Sequence, residues 1–443
     1  MAAESSAALA RSIVSTLRAH GFAAWLVGGC VRDMLLGREP KDYDVSTDAR
    51  PGEVLALWPR ARQVGAKFGV ILVSKGEATV EVVTFRSDEA YLDGRRPEAV
   101  RFETDPRQDV LRRDFTINAL MSDPFTGEVI DYVGGRADLA ARVIRAIGNP
   151  ETRFAEDHLR MLRAIRFAAR FRFSIDPATM AAMQKLHSEI ARISAERIRD
   201  ELSRILTEGG ARRGFELLDE AGLLTDILPE IAAMRGVEQP PEFHPEGDVW
   251  THTLLMLERL PPNPPLTLAL GVLLHDVGKP PTFRIAERIR FDGHVDVGVR
   301  MTEEILCRLK YSNDEVEQVQ ALVANHMRFA EVFNMRESTV RRFLRLPHFE
   351  EHLELNRLDC LSSNGNLDPW RFMKHRFEEM PAEELRPPRL VTGRDLIEAG
   401  YAPGPEFSRM LEAVEDAQLE GRISSRAEAL QLVAARFGTR SSE

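Results

Sequence analysis

The chain has 443 residues, and at roughly 100 to 200 residues per domain this length predicts two to four domains and excludes a single small module. Its 44% hydrophobic residues can form sizeable cores, which argues against wholesale disorder. A net charge of -10 argues against a protein coated in basic surface, and most of this negative charge lies beyond residue 240. In contrast, residues 141–213 are rich in arginine, which favours contact with a polyanion over a merely solvated helical surface.

Export and membrane insertion are not indicated. No apolar run approaches the roughly 20 residues that span a bilayer, and the first residues lack a basic region followed by an apolar one. The three cysteines, Cys30, Cys307 and Cys360, are too few and too far apart for a disulfide framework or a zinc cluster. We therefore expect a cytoplasmic protein without a membrane segment.

Hydrophobic periodicity predicts the order of elements. Apolar residues at helical spacing predict a helix over residues 5–20, which Gly21 ends. The polar stretch 87–109 is interpreted as one long mobile loop, and from about residue 150 the pattern is helical. The expected fold class is α+β, with a small mixed sheet and helices followed by all-helical regions. The sheet is predicted from four β-rich segments, at residues 24–27, 43–46, 70–74 and 79–85.

Paired glycines and paired aspartates suggest chemistry near the first strands. Gly28 and Gly29 follow a predicted strand and precede a short helix, so the backbone there can approach a phosphate closely. Asp42 and Asp44 are two residues apart in the next predicted strand, so both side chains leave one face and could share divalent cations. Two Mg²⁺ ions can activate an attacking hydroxyl and stabilise a leaving phosphate. The combination favours a catalytic site over a polar strand end.

Two further segments carry candidate residues. Glu81 lies on a strand face with apolar neighbours, where it is either a third carboxylate of the metal site or the partner of a surface arginine. Residues 112–119 (RRDFTINA) supply two arginines that could clamp triphosphate oxygens, and Asp114 could accept a hydrogen bond from a ribose hydroxyl. Thr116 and Asn118 could equally be helix caps.

Residues 156–167 (EDHLRMLRAIRF) space one aspartate and three arginines three residues apart. If they share one helix, Asp157 and Arg160 are neighbours, Arg163 lies next to Arg160, and Arg166 has drifted to the opposite side. The four side chains then cannot all face one ligand. An aspartate beside an arginine offers an acceptor and a donor together, which suits the Watson–Crick edge of a base. A structural ion pair is the alternative.

In this order, five motifs resemble those of the class II tRNA nucleotidyltransferase and bacterial poly(A) polymerase family. They are VGGxVRDxLLG with DYD, RRDFTINA, GGxxDL at 134–139, EDxxRxxRAxRF, and ERIRDEL at 196–202. The resemblance covers about residues 20–235. It implies a polymerase-beta-like nucleotidyltransferase head, helical neck, body and tail regions, and template-independent addition of nucleotides to an RNA 3′ end.

The same resemblance implies a role for each matching residue. Asp42 and Asp44 would be the Mg²⁺ carboxylates. The incoming base would be read by Asp157 and Arg160, with Arg163 and Arg166 supporting that site. Contacts to the triphosphate or nucleotide would come from Gly28, Gly29, Arg32 and Arg113.

A second set of candidate ligands lies in the C-terminal half. HDVGK at residues 275–279, with an upstream histidine and a later aspartate, resembles the HD-domain metal phosphohydrolases over about residues 244–365. This resemblance implies a ligand set of His252, His275, Asp276 and Asp359, and a second ion held by His294 and His326. The ions would be Mg²⁺, Mn²⁺, Co²⁺ or Ni²⁺. A degenerate HD domain could instead remain as an RNA-binding scaffold.

We expect four regions: a catalytic head (1–147), a helical neck and RNA-binding region (148–240), an HD domain (241–387) and a helical tail (388–443). The expected function is addition of CCA to the 3′ end of tRNA from CTP and ATP, with release of pyrophosphate. One alternative is a poly(A) polymerase or an enzyme that adds only CC or A, although the acidic C-terminal half favours tRNA. Others are an HD hydrolase with a nucleotide-sensing head and a silent tRNA-binding factor. The oligomeric state does not follow from the sequence.

Overall fold

The computed structural model describes residues 5–64, 69–88, 100–381, 385 and 387–438. The chain forms two compact units. The first comprises Met1–Ala233, Pro261–Pro264 and Arg308–Tyr311, and the second comprises Met234–Leu260, Pro265–Cys307 and Ser312–Glu443. In the described ranges, every helix is too short or too polar to cross a bilayer. A small sheet with many helices confirms the predicted α+β class.

The first unit contains a sheet in which strand order brings distant residues together. The order is β3-β4-β5-β2-β1-β8-β9; β2 and β5 are parallel and all other neighbours are antiparallel. A separate antiparallel pair joins β6 and β7, and a parallel pair joins β10 and β11. The strands are β1 (Ala24–Val27), β2 (Asp44–Thr47), β3 (Arg62–Gln63), β4 (Val70–Lys75), β5 (Ala78–Thr84), β6 (Arg86–Asp88), β7 (Val100–Phe102), β8 (Met121–Ser122), β9 (Val129–Ile130), β10 (Val143–Ile144) and β11 (Ser174–Ile175).

Helices cover this sheet and continue beyond it. Leu9, Ile13, Val14 and Leu17 form the buried stripe of the first helix, as their spacing predicts, and Ser5 caps its start. The helices of the first unit are α1 (Ser6–Ala19), α2 (Gly29–Leu35), α3 (Pro51–Leu57), α4 (Pro106–Leu111), α5 (Gly135–Ala141), α6 (Pro150–Glu156), α7 (Leu159–Phe171), α8 (Pro177–Leu186), α9 (Ala195–Thr207), α10 (Ala211–Glu220), α11 (Leu223–Ile227) and α12 (Pro229–Ala232).

The interpretation of residues 87–109 as one loop is wrong at both ends. Strands β6 and β7 pair there, and α4 begins at Pro106 because Asp105 accepts a hydrogen bond from the Arg107 N–H. Residues 89–99 lie outside the described ranges. Strand β11, which pairs with β10, is a further interruption of the region beyond about residue 150, where the pattern was expected to be helical almost without interruption. Propensity alone could not reveal these pairs, because two- and three-residue strands have no measurable periodicity.

The GGxxDL segment packs against and hydrogen-bonds to the RRDFTINA segment, which holds α5 in place. Gly134 has φ +81°, and a Cβ on Gly135 would overlap the carbonyl oxygen of Thr116. The Thr116 hydroxyl donates to Asp138 Oδ2 at 2.6 Å, and Arg145 Nε donates to the same carboxylate at 3.1 Å. Residues 116–118 form a short 3₁₀ turn, so α5 fixes the position of this turn.

We expect Gly135→Ala to destabilise the protein by about 1–3 kcal/mol, because the new methyl group must displace backbone rather than a flexible side chain. Denaturant unfolding would measure the change. The matched control is Gly52→Ala in α3, where a Cβ meets nothing within 4 Å and φ is not positive. An equal effect of the two substitutions would contradict the proposed tight contact.

As far as the structure describes it, the second unit is helical apart from the two-stranded hairpin of β12 and β13. Phe329, Phe343 and Phe349 form the centre of one apolar cluster, and Val414 lies in another that includes residues from the chain's last helices. Its elements are α13 (Val249–Glu258), α14 (Leu266–Leu274), α15 (Lys279–Thr282), β12 (Arg284–Ile285), β13 (Ile289–Arg290), α16 (His294–Arg308), α17 (Asn313–Asn325), α18 (Glu337–Leu344), α19 (Phe349–Ser362), α20 (Asp368–Glu379), α21 (Gly393–Glu398), α22 (Glu406–Leu419) and α23 (Arg426–Phe437).

Candidate functional site

Carboxylates converge on the edge where β2 begins. Asp44 is the first residue of β2 and lies directly opposite Glu81 of the parallel strand β5, whereas Asp42 precedes the strand instead of lying within it. Burial raises the pKa of the Asp44 carboxyl to about 6; the Glu81 and Asp42 carboxylates also raise it, and Arg113 opposes them. The raised pKa shows that Arg113 only partly offsets the effect of burial and of the neighbouring carboxylates on Asp44. Such a donor set fits a divalent cation.

Glu81 extends from the exposed face of β5, while Val80 and Val82 are buried on the other face. Within the described ranges it forms no ion pair with a lysine or arginine. Its position opposite Asp44 agrees with the interpretation as a third carboxylate, which remains a prediction.

The backbone conformation and the close neighbours of residue 28 favour glycine at this position. Its φ is +79°, and a Cβ there would lie 3.1 Å from Arg113 Nη1 and 3.8 Å from Asp44 Oδ2. The absent side chain lets the Arg113 guanidinium approach the aspartate. Gly29 begins α2 and has ordinary space around it, with Arg32 Nη2 at 3.6 Å from a hypothetical Cβ.

A hydrogen-bonded chain fixes Arg32 behind these groups. Arg32 is only 4% exposed, donates to Asp33 Oδ1 at 2.8 Å and to Asn118 Oδ1 at 2.6 Å, and its guanidinium lies 4.6 Å from the ring centre of Phe171. Asn118 in turn donates to Asp114 at 3.1 Å. Asn118 and Thr116 thus connect segments instead of capping a helix, which was the alternative interpretation.

Asp114, which is buried, pairs with the partly exposed Arg163 at the end of this series of hydrogen bonds. Arg163 donates to Asp114 Oδ2 through Nε at 2.9 Å and Nη2 at 2.7 Å. Burial alone would raise the pKa of Asp114, but Arg163 and the other hydrogen bonds hold it at about 2. The carboxylate is therefore ionised at any physiological pH. It can accept a hydrogen bond from a ribose hydroxyl only in addition to those that it already accepts from Arg163 and its other donors.

The expectation of one helix through Asp157 is wrong. Helix α6 ends at Glu156 and α7 begins at Leu159, so Asp157 lies between them with φ −147°. Asp157 Oδ1 accepts from the Leu159 N–H at 3.1 Å, and Oδ2 accepts from Arg197 Nη2 at 2.9 Å. Arg160 donates instead to Glu156 at 2.6 Å, so the alternative ion pair with Asp157 is not formed.

One cavity of about 630 Å³ gathers most of the candidate residues of the first unit. Its wall includes Arg166, which was expected to lie on the side opposite Asp157 because both residues were assigned to one helix. Arg166 Nε donates to Glu201 at 2.7 Å. Ten basic and six acidic side chains line the cavity, which suits a polyanion. The predicted residues in its wall are Gly28, Gly29, Arg32, Asp42, Asp44, Arg113, Asp114, Asp157, Arg160, Arg163 and Arg166.

Arg197 was not singled out from the sequence, although it belongs to the ERIRDEL motif. It lines the cavity, donates to Asp157, and its Nη1 is buried without a hydrogen-bond partner among the described residues. The donor that accompanies Asp157 is therefore Arg197. Lys41, Arg170 and Arg204 also line the cavity without having been predicted, and Arg112, one of the two arginines of RRDFTINA, lies there with them.

The second unit brings its six predicted ligands together. Ligand atoms of His252, His275 and Asp359 lie within 4.8 Å of one another, as do those of Asp276, His294 and His326. Asp276 lies beside both groups: its Oδ2 is 3.1 Å from His275 Nε2, and its Oδ1 is 3.8 Å from His326 Nε2 and 4.0 Å from His294 Nε2. Asp276 could therefore bridge two ions.

The imidazoles of this cluster are oriented for coordination. The Nδ1 atoms of His275, His294 and His326 lie 2.7–2.9 Å from main-chain carbonyl oxygens, which can only accept, so Nδ1 carries the proton. The Nε2 atoms of all four cluster histidines are buried and face carboxylates of the cluster: that of His252 lies 3.3 Å from Asp359 Oδ1, and that of His275 lies 3.1 Å from Asp276 Oδ2. Burial lowers the pKa of His326 to about 4, which keeps the ring neutral near pH 7. Rings that are held through Nδ1 and present Nε2 beside carboxylates form a suitable ligand set for a metal ion.

Sequence reasoning missed the polar residues that surround the cluster. Lys279 Nζ lies 2.7 Å from Asp276 and 2.6 Å from Gln239 Oε1, and Glu246 Oε1 lies 2.6 Å from His252 Nδ1. A cavity of about 920 Å³ adjoins the cluster and is lined by Lys279, His294 and several aromatic side chains. Of these surrounding residues, only Lys279 could have been anticipated from the sequence, because it is part of the HDVGK motif.

Three known family models match parts of this chain. The Poly A polymerase head domain matches residues 24–145, the probable RNA and SrmB-binding site of polymerase A matches 172–235, and the putative tRNA nucleotidyltransferase domain 2 matches 296–434. The first unit thus contains a nucleotidyltransferase head, and the protein is an enzyme of that class.

Whole-chain comparisons identify the family. A CCA-adding enzyme from Lactobacillus helveticus is 30% identical over 423 residues, which is 95% of each chain, and therefore this chain belongs to the family of CCA-adding enzymes. A Geobacillus stearothermophilus CCA-adding enzyme is 44% identical over 224 residues, or 50% of this chain and 55% of that protein. The Bacillus stearothermophilus CCA-adding enzyme in complex with CTP superposes with TM-score 0.73 and 28% identity over 97% of both chains.

Proposed function

We propose that this protein adds C and A residues to the 3′ end of tRNA, using CTP and ATP and releasing pyrophosphate. The observation that carries the proposal is the single basic cavity whose wall combines the Asp42 and Asp44 carboxylates with the Asp157–Arg197 pair. The former supply a metal site and the latter a donor and an acceptor for a base edge. Relatives bearing the name CCA-adding enzyme, including one solved with CTP, support the choice of substrates.

Different residues of the head would bind the metal ion and the triphosphate during nucleotide transfer. Mg²⁺ held by Asp42 and Asp44, with Glu81 opposite, would favour ionisation of the RNA 3′ hydroxyl and neutralise charge on the leaving pyrophosphate. Arg113 is oriented by Asp109, whose Oδ2 accepts from its Nη2 at 3.0 Å, and would bind the triphosphate near Gly28. Arg32, already bonded to Asp33 and Asn118, would contribute a fixed positive charge to the same binding region.

Incorporation assays with single labelled nucleotides test this function. Tested on tRNA lacking CCA, on CC-ended tRNA and on unstructured RNA, the enzyme should add C to the first, A to the second and little to the third. Long A tracts on unstructured RNA would favour the poly(A) polymerase alternative. Addition restricted to C or to A would favour a specialised enzyme.

We expect substitution of Asp157 or its partner Arg197 to change nucleotide choice more than triphosphate binding. Base-edge contacts contribute about 1–3 kcal/mol of discrimination, so the ratio of kcat/KM for CTP or ATP over UTP and GTP should fall about 10- to 100-fold. Glu151→Gln is the matched control, because Glu151 is on the exposed surface of α6 and pairs with Lys185. An equal loss for all four nucleotides would assign Asp157 and Arg197 a structural role.

We propose that the second unit is a metal-dependent phosphohydrolase. The supporting observation is the set of four buried histidine Nε2 atoms that face the Asp276 and Asp359 carboxylates. Divalent ions held there would activate a water molecule and polarise a phosphoryl oxygen. Cyclic nucleotides and phosphate monoesters with Mg²⁺, Mn²⁺, Co²⁺ or Ni²⁺ are the test substrates, and absence of hydrolysis with every ion would leave the unit a scaffold.

The four-region division at residues 147, 240 and 387 is part of the proposal. The head and the RNA-binding region correspond to family matches that begin and end within a few tens of residues of these boundaries. We also propose a cytoplasmic location, with which three unpaired cysteines agree.

A further inference from the structure

Glu246 contacts the metal-ligand cluster in a way that no other acidic residue there does. Its side chain is only 8% exposed, and Oε1 accepts from His252 Nδ1 at 2.6 Å and from His244 Nδ1 at 2.8 Å. The other three cluster histidines donate from Nδ1 to main-chain carbonyl oxygens. His252 is therefore the one cluster histidine whose Nδ1 faces a full negative charge.

The Glu246 carboxylate has few interaction partners besides these histidines. Its Oε2 is buried without a hydrogen-bond partner, and among the described residues its ion-pair partners are the two histidines alone. A carboxylate that accepts from Nδ1–H increases the electron density at Nε2 of the same ring, whereas a neutral carbonyl does so less. His252 Nε2 belongs to the group with His275 and Asp359, and not to the group with Asp276, His294 and His326.

We propose that Glu246 is a positioning residue that makes the ion position at His252, His275 and Asp359 bind metal more tightly than the position at Asp276, His294 and His326. The inference rests on the proposed metal centre of the second unit. Glu246 holds the His252 ring in one orientation and tautomer and raises its basicity. His244, which donates to the same oxygen, keeps the carboxylate in place and itself lines the adjoining cavity.

Two substitutions separate orientation from charge. In Glu246→Gln the amide oxygen can still accept from His252 Nδ1, so the ring stays oriented while the charge is lost; Glu246→Ala removes both. Calorimetric titration of metal-free protein with Mn²⁺ or Co²⁺ measures each affinity without any enzymatic activity. We expect two ions in the wild type, a roughly tenfold weaker first ion in Glu246→Gln, and a roughly 10- to 100-fold weaker one in Glu246→Ala. The second affinity should stay within about threefold.

Double variants assign the effect to one position. In a His326→Ala background the position at His252 remains, and Glu246→Gln should weaken it; in a His252→Ala background Glu246→Gln should change nothing. Glu242→Gln is the control, since Glu242 is exposed and lines the same cavity. Melting in EDTA checks that each variant is folded.

The outcomes separate the two proposals. A wild type that binds no ion overturns the metal centre and this inference with it. Two bound ions with unchanged affinities in Glu246→Gln and Glu246→Ala overturn only the role of Glu246. Equal weakening of both ions would mean that Glu246 supports the cluster as a whole, and that result also overturns the assignment.

Discussion

Asp44→Asn should abolish nucleotide addition while leaving the protein folded, and Asp42→Asn should do the same. These carboxylates are proposed to hold the catalytic Mg²⁺, and loss of metal stabilisation of the transition state is worth several kcal/mol. We therefore expect a decrease in kcat/KM of about 1000-fold or more, equivalent to about 4 kcal/mol. Transfer of labelled CMP to tRNA lacking CCA measures the loss.

Asp44→Asn should preserve or increase the thermal stability of the metal-free protein, although it abolishes nucleotide addition. The raised pKa of Asp44 means that its ionised form is disfavoured by burial and by Glu81, so this group destabilises the metal-free fold increasingly as the pH rises from 3.8 to about 6, and fully above that. Asp44→Asn removes that charge, and the variant should melt at an equal or higher temperature in EDTA at pH 7.5. Glu77→Gln, at the exposed β4–β5 turn, should change neither quantity. Transfer within about tenfold of wild type would refute the catalytic assignment of Asp44.

His275→Gln combined with Asp276→Asn should remove phosphohydrolase activity to background but leave nucleotide addition within about threefold of wild type. The two residues contribute to both groups of ligand atoms, so the remaining histidines cannot rebuild either ion position. The head residues belong to the other compact unit. Hydrolysis of 2′,3′-cyclic nucleotides and CCA addition, measured on the same preparation, test the separation.

The choice of amides over alanines follows from Lys279. Its Nζ lies 2.7 Å from Asp276 in a nearly closed environment, and removing one partner of a buried ion pair commonly costs 3–5 kcal/mol. Asparagine retains an oxygen for the lysine. His375→Ala, at an exposed histidine of α20, is the control for loss of an imidazole. Loss of nucleotide addition in a folded double variant would contradict two independent sites.

The sequence predicted α1 and four of the seven strands of the sheet, because these elements carry strong local signals, and it missed the two-residue strands β3, β8 and β9. β1 was placed at its observed bounds, and the expected positions of α1, β2, β4 and β5 differ from the observed ones by a residue or two. Asp157 was assigned to the wrong local structure for a physical reason: a helical spacing of charged residues continues across a break that one extended residue creates. Nothing in the periodicity marks the change of backbone at that residue.

Contacts between distant segments were beyond the reach of sequence patterns. Glu246 and Arg197 act through partners 6 and 40 residues away, and a lone glutamate or arginine has no periodicity that announces such a partner. The HD motif did indicate the histidine cluster, because one segment provides two adjacent ligands. The carbonyl oxygens that orient the rings could be known only from the folded chain.

The position of β2 between β1 and β5 has a consequence for fidelity. Residues 45–47 pair with neighbours on both sides, so Asp44 can shift only when the sheet itself opens, at a cost close to that of global unfolding. Asp157 occupies a single extended residue between two helices, where local opening needs far less free energy. With the roles proposed above for Asp157 and Asp44, warming towards the melting temperature should loosen the choice between bases before it stops the transfer of nucleotides.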